Sequence, residues 1–174
     1  MQKIALTGGI GTGKTFVSKF FVDVGIPVYN ADEEAKKLYD EPEIIRLIVA
    51  KFGQEVLTNS KVDFYKLASL IFDDSEKIRQ INGIIHPILM ERFNKWAEQQ
   101  NCKDVILESA IVFEAGLDHY FDFIITVDAP LDIRINRIRK RNPSFSEEDI
   151  KKRIDSQMEQ LLKCKKADLV ILNV

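Results

Sequence analysis

Apolar positions along this 174-residue chain switch between two periods, and the switches divide it. Lys3 to Thr7 is a short apolar run ending in glycines, which predicts a buried strand. From Gly13 the pattern becomes Phe16, Val17, Phe20 and Phe21, the spacing of one apolar stripe on a helix. Gly25 stops that helix, and Ile26-Pro27-Val28-Tyr29 predicts a second strand. Strand, glycine loop, helix, strand is a βαβ unit and calls for a parallel sheet.

The middle of the chain reads differently. Residues 42–52, 62–72 and 75–100 carry helical spacing with no strand pattern. Asp73 followed by Glu76 marks a start for the last of these, and Pro87 is expected to bend or break it at His86. This is a helical insertion between two strands of a sheet, placed to cover an acceptor substrate. Strands resume at residues 105–107 and 123–127. Ala129-Pro130 opens a helix, with proline in its first turn, that runs to about Arg141 before Asn142-Pro143-Ser144 breaks it. Ser146-Glu147-Glu148-Asp149 is a capping-box start for a helix reaching about Cys164, and residues 169–172 predict a last strand. Five strands are expected in one three-layer α/β fold with a parallel sheet.

Composition narrows the function classes. With 45% hydrophobic and 30% charged residues, the chain can bury one core and carry a small subdomain. Its net charge of −2 provides no global positive field for nucleic acid or an anionic membrane, so a bound anion must be met by local groups. Cys102 and Cys164 are far apart and only His86 and His119 accompany them, which makes no zinc pattern. No run approaches the roughly 18 apolar residues of a membrane span, and residues 1–6 do not form a signal peptide. A cytoplasmic protein is expected, and its oligomeric state is left open.

Gly8-Gly9-Ile10-Gly11-Thr12-Gly13-Lys14-Thr15 matches G-x-x-x-x-G-K-[ST] in full, after a strand and before a helix. Glycines let backbone N–H groups approach phosphate oxygens, and the helix start aims its unsatisfied donors at the same anion. Lys14 supplies charge for the β- and γ-phosphates of ATP, and the Thr15 hydroxyl can ligate Mg²⁺. The guanine-reading N-K-x-D is missing from the sequence, and the short chain with its helical insertion and late arginines favours a small-molecule kinase.

Asp32 stands just past the second strand, where strand ends line the ligand crevice of a parallel sheet. It can orient an attacking hydroxyl and accept its proton, or simply cap a helix. Glu108 follows the strand at 105–107 and is the favoured Mg²⁺ carboxylate; Asp128 competes for the role. Arg134, Arg137 and Arg141 share one helical face, suited to the charge of phosphoryl transfer or to a solvated helix end. Arg153 and Gln157 are weaker candidates on the next helix, and His86 reads first as a core or helix-end histidine.

Together these residues resemble the dephospho-CoA kinase family. Leu6 to Thr15 is similar to its L-T-G-G-I-G-S-G-K-S opening, Ala31-Asp32 to its D-A-D, and His86-Pro87 to its H-P. Phe113-Glu114 resembles the end of P-L-L-F-E, Arg137 and Arg141 fit R-x-x-x-R-D, Gln157 fits R-x-x-x-Q, and Ala167-Asp168 fits a closing A-D. The departures are Asn30, Ala110 and Asn142, where the family has Asp, Pro and Asp. Asn173-Val174 falls where relatives run on into another helix, near the segment that contacts adenine in P-loop kinases.

The resemblance implies a single P-loop kinase domain over residues 1–174, with a helical coenzyme-A-binding subdomain at about 41–100 and a lid at about 137–150. It implies transfer of the γ-phosphate of ATP to the ribose 3′-hydroxyl of dephospho-CoA. Asp32 becomes the catalytic base, with Lys14, Arg137 and Arg141 also catalytic; Asp32, His86, Glu114 and Arg137 bind the acceptor. Gly8 to Thr15 hold the nucleotide, and Thr15 with Glu108 hold the metal. A kinase for a nucleoside, nucleotide or other small metabolite, and a regulatory module that only binds ATP, are the competing readings.

Overall fold

The computed structural model describes residues 1–71 and 74–174. It divides into two compact units, Met1–Asn30 with Gln99–Val174, and Ala31–Glu98. The first unit holds a five-stranded, all-parallel sheet. Its strands are β1 (Gln2–Thr7), β2 (Val28–Asn30), β5 (Asp104–Glu108), β6 (Phe123–Asp128) and β7 (Leu169–Leu172), ordered β2-β5-β1-β6-β7. Ala5, Leu6, Val105, Ile106 and Leu107 are successive residues with no exposed surface. Side chains alternate across a strand, so both faces of the sheet centre are covered.

Helix α1 (Lys14–Asp23) packs Val17 and Phe21 against Leu6, Ile106, Ile125 and Val127. Phe16 and Phe20, from the same sequence stripe, are exposed instead. β1 and β2 form the expected parallel arrangement but are not neighbours; β5 lies between them and pairs with both. Three helices follow β6: α6 (Leu131–Arg141), α7 (Glu147–Asp155) and α8 (Gln160–Lys166). Pro130 takes the cap position of α6, one residue before the helix proper. Ser146 and Asp149 form the capping box expected for α7. The helix does not run on to Cys164, because it stops at Asp155 and restarts at Gln160. The intervening backbone and side chains bond elsewhere: Met158 N–H donates to Glu114 (3.0 Å), and Gln157 accepts from Ile10 N–H (2.7 Å).

The second unit contains α2 (Ala31–Leu38), α3 (Pro42–Phe52), a small hairpin of β3 (Leu57–Thr58) and β4 (Lys61–Val62), α4 (Phe64–Ile71) and α5 (Ser75–Glu98). Asn59 and Ser60 both have positive φ, the two-residue turn that suits strand twist. The expected helix start at Asp73 lies outside the described residues; Asp74 accepts from the N–H groups of Glu76 and Lys77 (both 3.0 Å). Arg92 and Glu41 form a two-pronged ion pair at 2.5–2.6 Å.

Pro87, expected to bend or break the helix at His86, lies inside α5 without ending it. Ile81, Ile85, Leu89, Phe93 and Ala97 recur every four residues on both sides of it, all buried. That continuous apolar stripe offsets the one backbone bond proline cannot make. Because Pro87 is exposed, Pro87→Ala restores a donor to the Gly83 carbonyl without opening a cavity. We expect it to raise unfolding free energy by about 1–3 kcal/mol, read from urea midpoints at unchanged slope.

Candidate active site

Residues 8–15 join the central strand to the first turn of α1. Gly13 caps that helix at φ 91°, a left-handed conformation, and a Cβ there would collide with the Asn173 side-chain amide. Thr12 closes the loop internally, its hydroxyl donating to Gly9 C=O (2.8 Å) and its N–H to the same oxygen (3.3 Å). Lys14 Nζ donates to Gly8 C=O (2.8 Å). Two glutamines meet the outer turn: Gly9 N–H donates to Gln160 Oε1 (2.8 Å), and Ile10 N–H to Gln157 Oε1. Among the described residues, the N–H groups of Gly11, Gly13 and Thr15 donate to no protein acceptor. No acidic side chain stands in the first turn of α1 to compete for them. A ten-residue helix with such a start is a ready anion seat.

Glu108 ends β5 with little exposed surface, and both of its oxygens are engaged. Thr15 Oγ1 donates to one (3.1 Å) and Ser18 Oγ to the other (2.7 Å). Strand adjacency does not distinguish Glu108 from Asp128, because β5 and β6 both flank β1. Their hydrogen bonds differ. Asp128 accepts from its neighbour Ala129 N–H (2.9 Å) and lies near Arg134, whereas Glu108 bonds the Thr15 hydroxyl directly. A hydroxyl and a carboxylate are the hard oxygen donors Mg²⁺ takes, and this ion needs few protein ligands when phosphate oxygens complete its shell. No group of three or more His, Cys, Asp or Glu side chains able to hold a metal occurs among the described residues.

The three arginines of α6 part company. Arg134 is buried and its Nε donates to Ile10 C=O (3.0 Å). Burial pulls its guanidinium below the ordinary arginine range, with Asp128 acting against that shift. Arg137 Nη1 donates to Thr12 C=O (3.2 Å) and Asn173 C=O (3.1 Å). Arg141, the last residue of the helix, is exposed. Arg153 stacks its guanidinium 4.3 Å from the Phe145 ring centroid.

Glu114 has a structural task that the motif did not suggest. It accepts from Lys163 Nζ (2.6 Å), a lysine with no exposed surface, and from Met158 N–H. Lys163 also donates to Ala110 C=O (2.6 Å). Sequence reasoning passed over Lys163, Gln160 and Ser18. Ser18 follows Thr15 by three residues on α1, a helix-face spacing that could have linked the two.

In the second unit, Asp32 is the second residue of α2, exposed, and two residues beyond the end of β2. His86 is half-buried in α5, and that burial holds its imidazole below the ordinary histidine range.

The chain matches the dephospho-CoA kinase family profile over residues 2–174. A dephospho-CoA kinase of Bacteroides fragilis is 42% identical over 98% of this chain and 84% of its own length. The structure of TT1252 from Thermus thermophilus superposes with a TM-score of 0.87 at 28% identity, covering 99% of this chain and 88% of that one. A dephospho-CoA kinase structure from Campylobacter jejuni shares the fold, with a TM-score of 0.67 at 24% identity over 99% and 88% of the two chains. The chain belongs to the dephospho-CoA kinase family.

Two measurements follow from the buried and half-buried groups. Glu114→Ala leaves the Lys163 ammonium without its counter-charge and is expected to cost about 3 kcal/mol of unfolding free energy, read by chemical denaturation. His86 has a depressed folded-state pKa, so below the ordinary imidazole range the unfolded chain binds a proton that the folded chain resists. Stability therefore falls as pH drops through about 6.5, and His86→Gln should flatten that part of the stability–pH curve.

Proposed function

We propose that this member of the dephospho-CoA kinase family transfers the γ-phosphate of ATP to the ribose 3′-hydroxyl of dephospho-CoA, giving coenzyme A and ADP in the last step of coenzyme A biosynthesis. The observation that carries the donor half is the loop at residues 8–15. Its Gly11, Gly13 and Thr15 amides have no protein acceptor among the described residues, beside Lys14 and a hydroxyl–carboxylate pair. On this reading Gly8 to Thr15 grip the phosphates of ATP, and Lys14 exchanges the Gly8 carbonyl for phosphate oxygen. Thr15 and Glu108 would hold Mg²⁺, which when bound neutralises charge on the β- and γ-phosphates. Ser18 keeps the Glu108 carboxylate in register with Thr15.

For the acceptor half, Asp32 orients the ribose hydroxyl and takes its proton late in the transfer. Its position just beyond the carboxyl end of β2 supports that role. The helical unit at residues 31–98, with His86, binds the coenzyme A moiety. Residues 137–150 act as a lid in which Arg137 and Arg141 meet the charge of the transferring phosphoryl group. Glu114 serves the acceptor side through the segment it ties to Met158. The reading requires neither nucleic acid nor a membrane, and no helix among the described residues is long and apolar enough to cross one.

The test is ATP turnover with dephospho-CoA, nucleoside monophosphates and small sugars as acceptors. Turnover with dephospho-CoA alone is expected; turnover only with another acceptor would sink the substrate assignment. Asp32→Asn should lower kcat by about 10² or more with ATP affinity little changed. Lys14→Ala should weaken turnover with every acceptor, since it acts on the donor.

A further inference from the structure

The polar backbone groups of residues 8–13 divide into those the protein occupies and those it leaves. Gly8, Gly9, Ile10 and Thr12 each have an occupied carbonyl. The N–H groups of Gly9, Ile10 and Thr12 are occupied as well. Among the described residues, the N–H groups of this stretch without a protein acceptor are those of Gly8, Gly11 and Gly13. The last two each belong to the same peptide plane as a carbonyl held by a side chain from outside the loop. Ile10 C=O, in the plane of Gly11 N–H, accepts from Arg134 Nε at 3.0 Å. Thr12 C=O, in the plane of Gly13 N–H, accepts from Asn173 Nδ2 at 2.9 Å and Arg137 Nη1 at 3.2 Å.

In a trans peptide the C=O and N–H point in opposite directions. None of the peptide bonds described is cis. Pinning the carbonyl therefore aims the amide away from the pinning side chain. Glycine has no rotational preference of its own to keep that peptide from flipping, so the aim must come from outside. At Gly11 the fit is close, since a Cβ would stand 2.7 Å from the Arg134 carbonyl oxygen.

We propose that Arg134 is a positioning residue for phosphate binding: by holding the Ile10 carbonyl it turns the Gly11 N–H toward the nucleotide, as Asn173 with Arg137 turns the Gly13 N–H through the Thr12 carbonyl. The proposal rests on the reading of residues 8–15 as the nucleotide seat. It separates Arg134 from the lid. Its guanidinium acts on the resting loop and touches no phosphate, so its work is done before ATP arrives. A backbone donor already aimed at an anion needs no reorganisation when the anion binds.

The test is amide NMR of the full chain titrated with ADP and Mg²⁺. In the parent protein the Gly11, Gly13, Lys14 and Thr15 amide protons should all move downfield. In Arg134→Met, which keeps the apolar stem and removes the donor, the Gly11 response should fall to less than half while Gly13 keeps its own. The KM for ATP should rise about tenfold, with the KM for the acceptor unmoved. Asn173→Ala, at a partly exposed position, should give the mirror result, a reduced Gly13 response with Gly11 preserved; it also tests the idea should Arg134→Met fold poorly. Equal loss at Gly11 and Gly13 in either variant, or a full Gly11 response in Arg134→Met, overturns the proposal. A parent protein in which Lys14 and Thr15 respond but Gly11 does not overturns this inference alone. One in which none of the four responds overturns the nucleotide seat itself.

Discussion

A chain of phosphates carries several negative charges, and this protein has a net charge of −2, so on the proposed reading residues 8–15 would meet it with neutral backbone donors and Lys14. That constraint governs residues 8–15. Neutral donors act only when aimed, and a run rich in glycine does not aim itself. The surrounding structure supplies the aim: β1 ends at Thr7, α6 brings Arg134 and Arg137, the α7–α8 junction brings Gln157 and Gln160, and the stretch after β7 brings Asn173. Elements from across the first unit thus converge on Gly9, Ile10 and Thr12. Burying Arg134 is the cost, since its guanidinium loses water to gain a carbonyl and the field of Asp128.

The Lys163–Glu114 pair does a related job one layer further out. Glu114 joins the segment after β5 to Lys163 of α8 and to the Met158 N–H, which lies between α7 and α8. Gln157 and Gln160 stand on either side of that point. The ion pair of buried Lys163 with Glu114 therefore lies beside the point from which both glutamines reach the loop.

The sheet strands, the phosphate loop and the Ser146 capping box were legible because each rests on local chemistry: apolar runs, glycine and lysine at fixed spacing, a hydroxyl three residues before a carboxylate. What escaped depends on distant partners. Pro87 reads as a break, yet buried residues spaced on both sides hold α5 through it. The stop at Asp155 has no breaker in sequence, and the Met158 N–H just beyond it bonds a glutamate more than forty residues earlier. Helix α2 is short and mostly charged, with too few apolar positions to show a period. Among the proposed site residues, the places of Asp32, Glu108, Lys14 and Thr15 at strand and helix ends were legible. Arg134 looked equivalent to Arg137 and Arg141, because helical spacing gives a shared face but cannot say that one end of it is buried.

The strand order has a consequence for how the molecule is made. β1 is made before the strands that flank it, which come about a hundred residues later, Gln2 pairing with Asp104 and Ile4 with Phe123. β2 cannot take their place, since its own neighbour is also β5. During synthesis the strand that will carry the phosphate loop waits with open edges while the whole helical unit at residues 31–98 emerges and can fold on local contacts. The loop at residues 8–13 thus takes one of its partners, Asn173, from a segment made more than a hundred residues later. In a nascent chain, residues 31–98 are complete before Asn173 can reach that loop.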